Sequence, residues 1–437
     1  MVHPPARFFS FGPLPYGSVR FFLAHRHRGG ELSGDITRAR LRGLARNPAL
    51  PPPELLRLAG AGVLDRWELT AREVWDDASF DVLAGHPDPE IREALAQCPG
   101  ATGEQRARLV GDLSIRVLHA VLEGPPSRWS GRLPDWAYRR LAAHPEPVVR
   151  DMLTLLPGVP REIVALLTRD PQPGIAAAAR ALLSPVPAGP ETLGREQAAA
   201  FAADPAPWNR ARAAADPDLP AACVPALAAD ESPQVRLALS MRRGLSEAER
   251  AAIDHPMPES TPILDWVLAA GPAELRDCAL SGHAGLRRSA ACHPELPAGL
   301  IAALAADDDP AVRLLLCEHQ ADLPGELLVR VLLAGGGDDL LRHPAFSGTG
   351  LAALASSEDP RARALARRDP AAPASLIERL SHDADVSVRT AVAGDGRLPV
   401  PRLLQLFDDP PTTGAASANP LLPRPVMDRI LATGHRT

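Results

Sequence analysis

Residues 282–310 read GHAGLRRSAACHPELPAGLIAALAADDDP, and residues 311–333 answer with AVRLLLCEHQADLPGELLVRVLL. The two stretches share one pattern, roughly D-x-x-P-x-V-R-x-A-L-A-x-x-P-x-L-P-x-x-L-x-x-x-L-A-x-D, and Arg287 and Arg313 hold the same place in it, 26 residues apart. The same interval separates Arg40, Arg66 and Arg92, then Arg210 and Arg236, then Arg363 and Arg389. A second ruler lies inside the first: the Pro of the L-P pair precedes the next Arg by 16 residues at Pro134, Pro220, Pro297 and Pro373. Two independent spacings that agree mark a chain of self-similar units of 24–26 residues, about fourteen of them, stacked as a solenoid.

Each half of the unit is a short helix. Asp309-Pro310 places an acceptor at the N-cap and a proline at the first helical position, where its missing N–H costs nothing. Asp88-Pro89, Asp359-Pro360 and Ser232-Pro233 repeat the signal. Apolar residues follow at helical spacing, as in Ile91, Ala94 and Leu95 or Val312, Leu315 and Leu316, and the second proline ends the helix. Leu300, Ile301, Leu304 and Ala305 then form the stripe of a second helix. Isolated helices shorter than about 12–15 residues are marginal in water, so each pair must lean on its neighbours. The pattern contains no useful run of strand alternation.

The D-P-x-P motif with its following Arg, Asp204-Pro205-Ala206-Pro207 and Arg210, together with the N-P-x-L-P motif of Asn47-Pro48-Ala49-Leu50-Pro51, resembles the leucine-rich-repeat-variant proteins, relatives in appearance of HEAT-type helical repeats. The resemblance covers residues 37–432 and implies a right-handed all-α superhelix in which α-helices alternate with shorter, sometimes 3₁₀, helices. It further implies an interaction scaffold. An iron–sulphur segment known in one member has no counterpart, since the first cysteine is Cys98.

Domain organisation follows from the repeat. Residues 1–34 carry five of the nine Phe and read as a cap or arm over the first apolar face; residues 35–432 are the solenoid; residues 433–437 are a tail. Residues 421–431, LLPRPVMDRIL, read as a final half-unit that closes the stack. Longer units occur around 117–133 and 184–203, and Gly335-Gly336-Gly337 reads as a slipped repeat.

Composition removes several functions. The chain has 47 Arg and no Lys, which excludes Schiff-base chemistry, a Walker A loop and a kinase-type lysine. A formal charge of −6, with acids and bases interspersed, argues against general nucleic-acid binding. Five scattered Cys form no C-x-x-C pair, no apolar run reaches membrane-spanning length, and the start lacks a signal-peptide core, so a reduced, cytoplasmic location is expected. The chain shows no G-x-S-x-G, H-E-x-x-H or glycine-rich phosphate turn. A non-enzymatic role is expected, with no cofactor and no small-molecule substrate.

The recurring arginines Arg92, Arg116, Arg150, Arg210, Arg236, Arg287, Arg313, Arg363 and Arg389 line one edge, one per layer. The expected arrangement is a structural ladder in which each meets an acid or a helix-end carbonyl, with Asp204, Asp230, Asp307 and Asp383 six residues before an Arg as natural partners. Ala176, Thr261 and Gly337 interrupt it. Cys278, His283, Cys292, His293, Cys317 and His319 fall in adjacent layers, and packed free thiols compete with a metal as their explanation. Trp129, Trp208 and Arg210 are the candidate partner contacts, because tryptophan and arginine concentrate at binding hot spots. Against this, Asn209 on the apolar stripe predicts a one-residue shift that buries Trp208. The partner expected is another protein; the alternative is a nucleic-acid-binding or DNA-glycosylase-like repeat protein with an Arg-lined concave face.

Overall fold

The computed structural model describes residues 36–60, 66–125, 129–156, 158–184 and 192–433. The proposed N-terminal cap, residues 434–437 of the tail and parts of the long units around 117–133 and 184–203 lie outside these residues. Among the described residues every regular element is an α- or 3₁₀-helix, and consecutive helices pack as neighbours in layers. The chain is an all-α stack of helix pairs.

The helices begin where the capping chemistry puts them. Pro89–Ala96, Pro310–His319 and Pro360–Leu365 each start on the proline, and the preceding Asp88, Asp309 and Asp359 accept from the backbone N–H two residues on, at 2.9 Å. Pro233–Ser240 also starts on its proline, but Ser232 makes no side-chain cap; its own N–H donates to Asp230 instead. The stripes are buried as the period requires, with Ile91, Ala94 and Leu95 in one layer and Val312 and Leu316 in another, while Leu315 packs half-buried on the same core. Each large aliphatic side chain so buried stabilises the stack by about 2 kcal/mol. That term is available only because the next layer covers it.

The layers form two compact units. One comprises residues 180–347. Its core runs through Ala198, Ala213, Leu227, Val235 and Leu239, and through Leu286, Leu304, Val312, Leu316 and Leu328. The regular pairing fails at residues 254–264, where DHPMPESTPIL has no helix and Pro256, Pro258 and Pro262 deny it backbone donors. It fails again after Gly335, whose φ of 101° and glycine followers lead into the 3₁₀ helix Asp338–Arg342.

The other unit joins residues up to 179 with residues from 348 onward. Its first helix, Ile36–Arg46, lies against Thr413–Ser417 and Arg424–Thr433 from the far end of the sequence. The backbones approach so closely at Gly43 that a Cβ there would stand 2.0 Å from the Gly414 carbonyl oxygen. Arg40 donates to Thr413 Oγ1 at 2.9 Å and to the Phe407 carbonyl at 3.2 Å, and its guanidinium sits 4.1 Å above the Phe407 ring. Arg424 reaches Glu54 at 2.5 Å.

The hydrogen-bond register of this junction is the one used between consecutive layers. Asn419 Nδ2 donates to the carbonyls of Ala393 and Asp395, and Gln320 Nε2 to those of Ala291 and His293. Asn47 Nδ2 donates in the same way to Ser417 and Asn419, at 3.1 and 2.6 Å. The half-unit at 421–431 therefore does not close the stack. Residues 36–60 form the layer that follows it, and they cover its apolar face.

Candidate functional site: the arginine ladder and an exposed apolar edge

Five arginines share one geometry. In Arg92, Arg150, Arg210, Arg287 and Arg363, Nη1 donates to the carbonyls six and five residues earlier, while Nε and Nη2 grip a carboxylate twenty residues later. The carboxylates are Asp112, Asp170, Asp230, Asp307 and Asp383, at 2.6–2.7 Å from Nε and 2.8–3.2 Å from Nη2. Both partners are largely buried in each pair. Bidentate guanidinium–carboxylate pairs of this kind are short and geometrically specific.

Three of these acids, Asp230, Asp307 and Asp383, also precede a recurring Arg by six residues and so serve two layers. The carbonyl of each takes its own layer's arginine, and the carboxylate takes the arginine of the layer before. Asp230 receives Arg236 on the carbonyl and Arg210 on the carboxylate; Asp383 receives Arg389 and Arg363. Hydrogen bonding to the guanidinium holds the carboxyls of Asp170, Asp230 and Asp383 below their ordinary range, and raises Arg150, Arg210 and Arg363. The ladder is an internal clamp between layers.

Arg210 belongs to it. Grouped by sequence with Trp129 and Trp208 as a partner contact, Arg210 instead has its donors committed to Asp230 and to the carbonyls of Asp204 and Pro205. The remaining ladder positions differ. Arg116 is mostly exposed and pairs with Glu93, and Arg236 turns Nε to the Asp254 carbonyl where Pro256 occupies the acid's slot. Among the described residues Arg313 and Arg389 reach only the carbonyl side.

Trp208 is 71 % exposed. The burying shift read from Asn209 does not occur, because helix Pro207–Ala215 turns Ala213 and Ala214 to the core and leaves Asn209 half-buried and Trp208 outward on the first turn. Trp129 is half-buried. Other apolar side chains stand outward two or three residues before a ladder arginine: Leu113, 99 % exposed, before Arg116; Val148 before Arg150; and Val386 before Arg389. Leu113, Val148 and Val386 make this a recurrent apolar spot in the unit that joins residues up to 179 with residues from 348 onward; in the unit of residues 180–347 the spot is Trp208.

The cysteine and histidine set does not converge. Among the described residues no three His, Cys, Asp or Glu side chains gather as metal ligands. Cys278 and Cys317 are buried, and burial pushes their thiols up to about 11 and about 12. His293 Nδ1 accepts from Glu295 N–H, as His86, His144 and His343 do in their own turns. His283 is a buried cap: Nδ1 accepts from Gly285 N–H, which leaves Nε2–H to donate to Ser240 Oγ at 2.9 Å. Burial, the neighbouring His255 ring at 4.9 Å and Arg250 lower it to about 4.

Asn47, Asn419 and Gln320 set the layer register, a role that the repeat pattern assigned to none of them. The signal for two of them was present in the shared N-P-x-L-P of residues 47–51 and 419–423. Compared with known proteins, the chain matches no family model and no curated protein.

Proposed function

We propose that the chain is a non-enzymatic scaffold that binds another protein through the outward edge of its helical layers. The observation that carries this reading is the exposure of Trp208 on the first turn of a helix otherwise committed to the stack. An aromatic ring held in water costs solvation that a partner recovers, and tryptophan dominates such interfaces. Val148 and Val386 repeat the arrangement in other layers, and Leu113 stands exposed just before helix Ile115–Glu123. The resemblance to leucine-rich-repeat-variant proteins points the same way, and the absence of lysine from the sequence narrows the enzymatic alternatives.

The nucleic-acid reading draws little from the ladder, because five of its arginines already hold carboxylates. No helix among the described residues is long and apolar enough to cross a membrane.

The test is co-purification from the native host of a stoichiometric protein partner, with Trp208→Ser as the comparison. The substitution should weaken the complex by about thirtyfold, the loss of one hot spot. Retention of the partner at unchanged affinity removes this edge from the interface.

A further inference from the structure

The structure assigns to Arg389, with Arg402 beside it, a docking site for a carboxylate side chain of an acidic partner segment. This deepens the scaffold reading and rests on it.

The five closed rungs set the pattern. In each, one guanidinium places Nη1 on two backbone carbonyls and turns the Nε and Nη2 edge to an aspartate of the next layer. Arg389 repeats the first half, with Nη1 on the Asp383 and Ala384 carbonyls at 2.8 and 2.9 Å. The second half is missing: among the described residues nothing accepts from its Nε or Nη2. The same is true of Arg313, which holds the Asp307 carbonyl alone.

Helix length explains both. In the closed rungs the second helix ends two to five residues before the acid, as in Ala374–Leu380 before Asp383 or Ala298–Ala305 before Asp307. At the two open rungs the second helix extends to nine residues, Val400–Asp408 and Gly325–Leu333. The residue twenty positions after the arginine then falls at the helix end and not in the turn. After Arg313 it is Leu333. After Arg389 it is Asp409, whose carbonyl accepts from Thr412 and Thr413 N–H and whose carboxylate accepts from Thr412 Oγ1 at 3.3 Å.

A second arginine attends each open rung. Arg402 donates to Ser381 Oγ and to the Ser381 carbonyl, so two guanidiniums grip the carbonyls of one short turn, residues 381–384. Arg330 does the same at the Ala305 carbonyl, eight residues before Arg313 as Ser381 is before Arg389. Asp383 is held by Arg363 and Asp385 caps Ser387, while Asp409 and Glu378 act on Arg402 by charge without gripping either guanidinium edge. Burial, and after it the charge of Arg389, pushes the Arg402 guanidinium below its ordinary range. The site is a cationic fork whose sister copies show what fits it, an aspartate carboxylate held bidentately.

The experiment uses the full chain and a fluorescein-labelled peptide of alternating Asp and Gly, titrated by anisotropy. Arg389→Gln should weaken binding by about tenfold and Arg389→Lys, which keeps charge but loses the fork, by about fivefold. Arg402→Gln should weaken it by about threefold, and Arg363→Gln, in a closed rung, by less than about twofold. If Arg389→Gln fails to fold by circular dichroism, Arg389→Lys and Arg402→Gln carry the comparison. Failure of the native chain to bind the peptide, or equal binding by the Arg389 variants, overturns the inference. So does an oligonucleotide of equal charge that binds as tightly with the same dependence on Arg389, since the site then reads charge and not a carboxylate. A chain that ignores the peptide yet keeps its partner through Trp208 sinks this proposal and leaves the scaffold reading standing.

Discussion

Two places interrupt the regular stack, and they do so in opposite ways. Where residues 36–47 meet residues 413–419 the chain is discontinuous, yet the layer register is unbroken: Asn47 donates to carbonyls 417 and 419 as Asn419 does to 393 and 395. Between Met241 and His283 the chain is continuous, yet the layer's first helix shrinks to Asp265–Leu268 and its ladder pairing is lost. Register in this fold is thus carried by side-chain bonds to helix-end carbonyls and by small-residue contact. Chain connectivity is neither necessary nor sufficient for it.

The sharpest way to break the comparison is to separate the discontinuous junction. Gly43→Leu pushes a side chain into the Gly414 carbonyl and Ser417 Cβ, where even a Cβ would stand at 2.0 and 2.7 Å. A loss of about 3 kcal/mol or more is expected in denaturant unfolding, with new protease cleavage in residues 36–60. Native-like protection of that segment would show that the contact is dispensable.

A paired substitution sharpens the equivalence of the two junctions. Asn47→Ala and Asn419→Ala each strip two buried carbonyls of a donor, and each should cost about 3 kcal/mol. Because the geometry is shared, the two losses should agree within about 1 kcal/mol despite the missing chain link. A harmless Asn47→Ala beside a costly Asn419→Ala would mean that connectivity matters after all.

The irregular region should announce itself through acid. His283 is neutral in the folded chain with a value of about 4, whereas the unfolded residue titrates near 6.5. Stability is therefore whole above pH 6.5 and declines as pH falls toward 4, because the unfolded chain accepts a proton that the folded site refuses. The expected contribution is about 2 kcal/mol by pH 4.5, read as the difference between native protein and His283→Asn across that window. The ladder carboxylates behave differently. Depressed below the ordinary range, Asp170 and Asp383 retain their contribution through the same window and lose it only at lower pH. Equal slopes for native protein and variant between pH 6.5 and 4.5 would remove His283 from this role.

The smallest effect belongs to Arg116, exposed and paired with Glu93 at the surface. Arg116→Ala should change stability by no more than about 0.5 kcal/mol. A larger loss would place it with the buried rungs.

Much of this architecture was legible in the residues. The Asp-Pro and Ser-Pro starts located helices Pro89–Ala96, Pro233–Ser240, Pro310–His319 and Pro360–Leu365, since a proline's fixed φ and missing donor admit few alternatives. The acids six residues before an Arg were visible too, but the carboxylates of Asp230, Asp307 and Asp383 serve the preceding layer, an offset that depends on how layers stack. Trp208 went against the local pattern because Asn209 was read as a marker of phase; the small core of Ala213 and Ala214 leaves Asn209 half-buried without rotating the helix.

The sequence by itself determined the helix pair, its period and its buried stripe, because these follow from spacings shorter than one unit. Tertiary structure alone decided that residues 36–60 lie on residues 413–431, and that Arg389 keeps an unpaired edge where Arg363 does not. The physical reason is that a contact across more than 350 residues, or a carboxylate displaced by one or two added helical residues, depends on accumulated packing that no local spacing encodes.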